Sequence, residues 1–351
     1  MDFTLDDTQR EIAGLAADVL RREVDLARPA GPLGYDEQVW RALGKAGLLS
    51  LALPPELGGA GLGIAEVAVL LTELGRAAAP VPALTLALGV LPLELLGTPD
   101  QRAALLPEVA TGDALVTAAL HEPSSPLVTE PATRAVAEDG AWTLTGTKTG
   151  VPFAAAATRI LVPAAMPGGT GVFLVDPAAP GVTVAGGSVR LERVSVEEAG
   201  LLRDREPGEA IATLRRLAVA GAVALGDGVL AGALTLTKEH VARREQFGRP
   251  LAAFQAVAQQ IADVYIASRT VHLAAQSAVW RLASGLDPQP DLEVAGYWLA
   301  EEGPKALAVC QHLHGGLGVD ITYPLHRYYA LGKELSQFLG GAQDRLGELV
   351  R

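Results

Sequence analysis

Apolar positions fall into three successive patterns along the chain. Over residues 3–23 they recur at the spacing of one helix face, and Asp6 and Asp7 stand in the first turn, where negative charge suits the helix dipole. Helical spacing returns at 38–47, 64–79, 84–96 and 100–111, while the breaker-rich run PPELGGAGLG (54–63) reads as a loop. Near Asp113 the pattern changes to short, β-rich segments punctuated by glycine and proline, as far as about residue 199. ATRAVAEDGAWTLTG predicts a hairpin turning at Glu138-Asp139-Gly140, and RILVPA, GVFLVD, GVTVAG and VRLERVSV predict further strands. Evenly spaced turn signals of this kind suggest a small antiparallel barrel or sandwich. After Pro207 helical spacing holds to the end, at 208–244, 253–284, 291–312 and from Tyr323 onward, which suggests a bundle. The fold expected is α+β: an N-terminal helical domain (1–113), a middle antiparallel β-barrel or sandwich domain (114–206) and a C-terminal four-helix bundle (207–351).

Composition sharpens this picture. Hydrophobic residues make up 49% of the 351, and the mean hydropathy is +0.27, so helices are expected to be buried on more than one side. A large oligomer interface would account for that; so would a chain simply rich in alanine and leucine. Forty acidic residues against 28 basic ones give a net charge of −12, which opposes nucleic acid and anionic lipid surfaces. Any nucleotide ligand must then be held by a local basic or amide-rich patch. A single cysteine, Cys310, rules out a disulfide within the chain and fits a reducing, cytoplasmic setting. The start, MDFTLDDTQR, has no basic and apolar leader. Two apolar runs approach membrane length. Pro80, Pro82 and Pro92 interrupt 77–93, and Asp227 lies within 217–237, so both read as buried helices and no membrane span is expected.

Two segments carry candidate chemistry. In RREQFGRPLAAFQAV (243–257) a helix is expected to end near Gly248 and another to begin after Pro250. That junction would gather Arg243, Arg244 and Arg249 beside the amides of a helix start, as a pyrophosphate site requires. The same cations would also suit the negative end of a helix dipole, and on physics alone a solvated helix end is the simpler reading. In HLHGGLGV (312–319) paired glycines let backbone approach a ligand closely. His312 and His314 have no further ligand-type residues at metal spacing except Asp320 and His326, so no metal is expected. Nucleophile elbow, GxxxxGK[ST] loop and strand-linked GxGxxG are all missing.

At this point the sequence resembles the acyl-CoA dehydrogenase family over nearly its whole length. MDFTLDDTQR, WRALGKAGLLSLALPPELGGAGLG and LTELGRAAAPVPA resemble its first helical domain, RREQFGRPLAAFQAV its FAD-binding stretch, and LHGGLGVDITYPLHRYYALGKEL the end of its third long helix and the start of its fourth. The resemblance implies a helix–β–helix architecture, usually a dimer of dimers, with FAD between the β domain and the C-terminal helices. It implies that Arg244, Gln246 and Phe247 face FAD from one subunit, that Phe254 and Gln255 occupy further cofactor-facing positions, and that His312, Leu313, Gly315 and Gly316 reach the FAD of the neighbour. The implied reaction is α,β-dehydrogenation of an acyl-CoA thioester: a carboxylate removes the α-proton, the β-hydrogen leaves as hydride to the flavin, and an electron-transfer acceptor reoxidises it.

The chain departs from that pattern at the chemistry. Where the family usually has Tyr-Glu-Gly-Thr, this chain has Leu339-Gly340-Gly341-Ala342, so Gly340 stands at the usual base position and no catalytic residue is assigned. Some members carry the base on the helix before RREQFG, but here 214–221 reads LRRLAVAG, without a carboxylate. The β-domain signature appears as His121-Glu122-Pro123-Ser124-Ser125-Pro126, and Gly150 takes the place of a flavin-packing tryptophan. The expectation is a subunit whose partner, a homologous acyl-CoA dehydrogenase chain in a hetero-tetramer, supplies the base. The alternatives are a self-sufficient homo-oligomeric enzyme with a displaced base at Glu122 or His121, and a non-redox or structural member of the fold. Glycine at 150 and 340 leaves room for a larger acyl group.

Overall fold

A computed structural model of the chain describes residues 3–25, 28, 31–138, 140–204 and 206–350. Helix α1 (Asp7–Glu23) starts later than the apolar spacing predicts because Asp6 caps it. Its carboxylate accepts from Gln9 N at 2.8 Å, and the Gln9 side chain accepts from Asp6 N at 3.3 Å, the reciprocal pairing that stops a helix at its first turn. Then come α2 (Glu37–Lys45), α3 (Ile64–Arg76), a π-helical turn Leu86–Val90 leading into α4 (Leu91–Leu96), and α5 (Pro99–Thr111).

The strands are β1 (Val116–Ala118), β2 (Arg134–Glu138), β3 (Ala141–Lys148), β4 (Arg159–Met166), β5 (Gly169–Val175), β6 (Val182–Ala185) and β7 (Ser188–Glu197). They form one seven-stranded sheet in the order β1-β4-β2-β3-β7-β6, with β5 on β4. Neighbours are antiparallel except β1–β4 and β2–β4, which are parallel. The predicted hairpin is β2–β3, paired from Glu138↔Ala141 inward; Asp139 of its turn lies outside the described residues. Strand β1 escapes a period-two reading because all three of its residues are buried, and a strand covered on both faces shows no alternation. The apolar core of the sheet gathers Leu144, Val162, Phe173 and Val194, with Trp142 packed against it and donating Nε1–H to Glu198 at 2.6 Å.

The rest is helical: α6 (Glu209–Arg243), a two-residue hairpin β8 (Glu245–Gln246) and β9 (Arg249–Pro250), α7 (Gln255–Ala283), α8 (Gln289–His314), a 3-10 turn Gly315–Val319, α9 (Leu325–Phe338) and α10 (Gly341–Leu349). The helix expected from Tyr323 onward is therefore two helices. Gly340 and Gly341 both take left-handed φ, +87° and +80°, a region that an L side chain enters only with strain.

The chain divides into two compact units. The first comprises Met1–Pro29, Ala68–Pro80 and Ala222–Arg351, and the second Ala30–Val67 and Val81–Gly221. In the first, α8 packs on α7, α9 and α10, and α3 crosses α6 backbone to backbone. A Cβ on Gly228 would stand 1.9 Å from Thr72 O, and one on Gly75 would stand 2.1 Å from Leu225 O. Thr72 Oγ1 donates across the crossing to Ala224 O at 3.1 Å. Helix α6 is long and apolar enough to cross a membrane, but 94% of its apolar window is buried inside the protein. Its one mid-helix acid, Asp227, meets His272 Nδ1 at 2.9 Å. In the second unit, Gln101 of α5 donates to Ala199 O and Leu201 O at 2.7 and 3.1 Å, which ties the helix to the end of β7.

Candidate functional site: a basic pocket at the ends of α6 and α8

Two helix ends remote in sequence meet at a pocket of about 920 Å3. The last turns of α6 bring Glu239, His240 and Arg243, and Arg244 follows directly; the end of α8 and the turn after it bring His312, Leu313, His314, Gly315 and Gly316; Gln246, Leu251 and Tyr323 also line the wall. Arg244, Gln246, His312, Leu313, Gly315 and Gly316 thus line one pocket of this chain. Gly315 ends α8 with φ +58° and ψ −134°. Neither Gly315 nor Gly316 has a protein atom within 4 Å of where a Cβ would stand, so their backbone is open to a ligand.

The other candidates lie elsewhere. Arg249 does not join the arginines at the pocket; its guanidinium sits 4.1 Å over the Phe254 ring, a cation–π contact. The reason is the β8–β9 hairpin. Helix α6 stops at Arg243, the chain reverses through Phe247 (φ +52°) and Gly248 (φ +76°), and Arg249 leaves in the opposite direction opposite Gln246. Positive φ at both central residues suits a tight two-residue hairpin, but an aromatic residue there is strained. Phe247 nevertheless stands 92% exposed, touched edge-on by Phe254 at 6.2 Å. Gln255 opens α7 and does not line the pocket.

His312 and His314 are two residues apart and point different ways. His312 is exposed at the pocket, whereas His314 is buried. His314 Nδ1 lies 2.8 Å from Cys310 O and must donate to it, which leaves Nε2 to accept from Tyr323 OH at 3.2 Å. The His240 ring stacks on His314 with centroids 4.3 Å apart. Burial lowers the pKa of both imidazoles below the usual range; at His240 the positive charge of Arg244 adds to this, and at His314 His240 adds while the Cys310 carbonyl opposes. Among the described residues no three His, Cys, Asp or Glu side chains form a metal-holding group. His240, Glu239 and Tyr323 were missing from the sequence-derived set. The one available signal was that His240 precedes Arg244 by four residues and so shares its helix face.

The carboxylate named from the sequence as a displaced base, Glu122, is otherwise engaged. Glu122 is buried and accepts from Ala132 N (2.6 Å), Thr133 N (3.0 Å), Thr133 Oγ1 (2.7 Å) and Lys148 Nζ (2.7 Å). Burial alone would raise its pKa, but the contacts from Lys148 and Thr133 outweigh it and hold the carboxyl below its usual range. A general base works best with a pKa near neutrality, so Glu122 is built as a fixed counter-ion. At Gly150 (φ +56°) an added Cβ would lie 3.3 Å from His121 Nδ1, so His121 takes up part of the room expected there. The pocket can therefore hold a phosphorylated ligand by cations, amides and an open glycine turn. Glu122, held ionised by Lys148 and Thr133, is not poised for proton abstraction.

The chain belongs to the acyl-CoA dehydrogenase family: the family's N-terminal domain matches residues 6–113 and its C-terminal domain residues 210–350. It is 43% identical to "Acyl-CoA dehydrogenase FadE28" of Mycobacterium tuberculosis (strain ATCC 25618 / H37Rv), over 99% of this chain and 97% of that protein. Among solved structures it superposes on the "Tcur3481-Tcur3483 steroid ACAD G363A variant" with a TM-score of 0.91 at 38% identity, covering 99% of this chain and 98% of that one. The ChsE4-ChsE5 complex from Mycobacterium tuberculosis gives a TM-score of 0.92 at 32% identity, covering 100% and 98%.

Proposed function

We propose that this chain is the base-lacking subunit of a hetero-oligomeric, FAD-dependent acyl-CoA dehydrogenase. In this reading it holds the nucleotide half of FAD, and a homologous companion chain supplies the carboxylate that removes the α-proton. The observation that carries the reading is Gly340. At the usual base position stands a left-handed glycine that caps α10, while Glu122, named from the sequence as a displaced base, is tied to Lys148. Two relatives of high structural similarity are pairs of differently named chains, Tcur3481-Tcur3483 and ChsE4-ChsE5, which supports a heteromeric assembly.

The residues present fit the cofactor's phosphates. Arg243, Arg244, Gln246 and His312 offer donors around a pocket whose glycine turn would be filled by any Cβ. FAD, when bound, supplies the hydride acceptor for the β-hydrogen. Arg244 and the Gly315-Gly316 backbone would hold the diphosphate, with fixed charge and amides replacing water. The three segments 1–113, 114–206 and 207–351 serve as the domains of that subunit. The substrate is a CoA thioester with a bulky acyl group, in line with the steroid named for one relative; an electron-transfer protein reoxidises the flavin, and the complex works in the cytoplasm.

The test is spectroscopic. The chain is purified alone and again co-expressed with a companion carrying Glu at the position of Gly340, and each sample is titrated anaerobically with acyl-CoA. Flavin absorbance that is retained with the companion and bleaches there with substrate supports the reading. Bleaching by the lone chain rejects it.

A further inference from the structure

The pocket at the ends of α6 and α8 contains an imidazole, His240, whose nitrogens meet no hydrogen-bonding protein group among the described residues. His240 lines it one helical turn before Arg244, half-buried, with its ring nearly parallel to His314 (23° between planes). His314 cannot serve a ligand, because Cys310 O and Tyr323 OH occupy both of its nitrogens. It is a shelf. Among the described residues no hydrogen bond reaches the His240 side chain. Burial and the neighbouring Arg244 keep that ring neutral at neutral pH, so it offers one N–H donor and one acceptor nitrogen. A half-buried, unengaged imidazole on an aromatic shelf beside two arginines is a poor arrangement for stability alone, since its polar edge gains nothing from the protein.

We propose that His240 is a nucleotide-binding residue of this pocket: held flat on His314, it donates its N–H to a ribose or phosphate oxygen of the ligand that Arg244 also holds. This rests on the reading of the pocket as the site for the nucleotide half of FAD. His314 then acts as a positioning residue. Its two hydrogen bonds fix the plane on which His240 lies, and thus the direction of the donated hydrogen.

The experiment measures ADP binding to the full-length chain by calorimetry at pH 7.5, with FAD binding to the co-expressed complex as a second readout. ADP carries the ribose and diphosphate without the flavin, so the result does not depend on a companion's flavin bed. His240→Phe keeps the stacked ring and removes the nitrogens, His240→Gln keeps a donor and removes the ring, and Arg244→Ala reports on the pocket itself. The expected result is ADP affinity about five- to tenfold weaker in His240→Phe, the loss typical of one hydrogen bond, with an unchanged melting temperature and partial recovery in His240→Gln. Parental affinity in His240→Phe alongside loss in Arg244→Ala overturns the role of His240 and leaves the pocket reading standing. If the parent chain binds no ADP and its complex no FAD, the pocket reading falls and this inference falls with it.

Discussion

The Lys148 ammonium lies 2.7 Å from the Glu122 carboxylate, and both side chains are closed to water. The two join β3 to the loop after β1 inside the second unit. Removing one partner leaves the other charge buried and uncompensated, which costs about 3–5 kcal/mol. Lys148→Met should therefore destabilise strongly, read as a lower urea midpoint, whereas Lys148→Met combined with Glu122→Gln, which removes the charge and keeps an acceptor for Ala132 and Thr133, should recover much of the loss. Because the Glu122 pKa is depressed, its contribution is fully present above the unfolded carboxyl pKa of about 4.3 and disappears as pH falls through the lower folded value.

Gly340 makes restoring the base more than a matter of side chain. At φ +87° any L residue is strained by about 1 kcal/mol. Gly340→Ala should cost about that much in thermal unfolding. Gly340→Glu should cost the same and, on the proposed reading, still leave the lone chain unable to bleach flavin with acyl-CoA, since Gly150 also stands where the family resemblance implies a flavin-packing tryptophan.

Arg244 should dominate nucleotide affinity. A hydrogen bond to a charged group is worth about 1.5–3 kcal/mol, so Arg244→Ala is expected to weaken FAD or ADP binding by about tenfold or more. Its effect should shrink as salt rises, because the guanidinium is exposed and screened. Calorimetry at low and high salt separates this from a loss of fold.

The stacked pair His240–His314 should be felt in the pH dependence of stability. Both imidazoles have folded pKa values below the usual one, so folding disfavours their protonation. Their contribution is complete above the unfolded pKa of about 6.5 and is lost as pH falls from there toward the folded values. Urea midpoints at pH 7.5 and 5.5 should differ in the parent and differ less in His314→Phe.

Much of the fold was legible in the residues. The apolar spacing of 208–244 and 253–284 matches α6 and α7 within a residue or two, because long periodic segments leave little choice. Strand β1 was not legible, since three buried residues carry no alternation. The split between α9 and α10 lay hidden in Gly340-Gly341, two residues that read as a motif departure before they read as a helix break. At the site, Arg244 and the Gly315-Gly316 turn could be named from their motifs, yet the meeting of the two motifs at one pocket is a tertiary fact. Arg249 shows the limit of inference from sequence proximity. Five residues from Arg244, it stacks on Phe254 because a left-handed turn at Phe247 and Gly248 reverses the chain between them.

The crossing of α3 and α6 bears on which changes the gene can survive. With Thr72 O 1.9 Å from the Cβ position of Gly228, and Leu225 O 2.1 Å from that of Gly75, even a methyl group is excluded by main chain, which cannot swing aside as a side chain can. Alanine, ordinarily the mildest replacement in a helix, would here be among the harshest. A library of all single substitutions should show intolerance at Gly75, Gly228 and also Gly232, whose Cβ would stand 2.3 Å from Arg76 O, and drift at any of these sites would require both helices to move together.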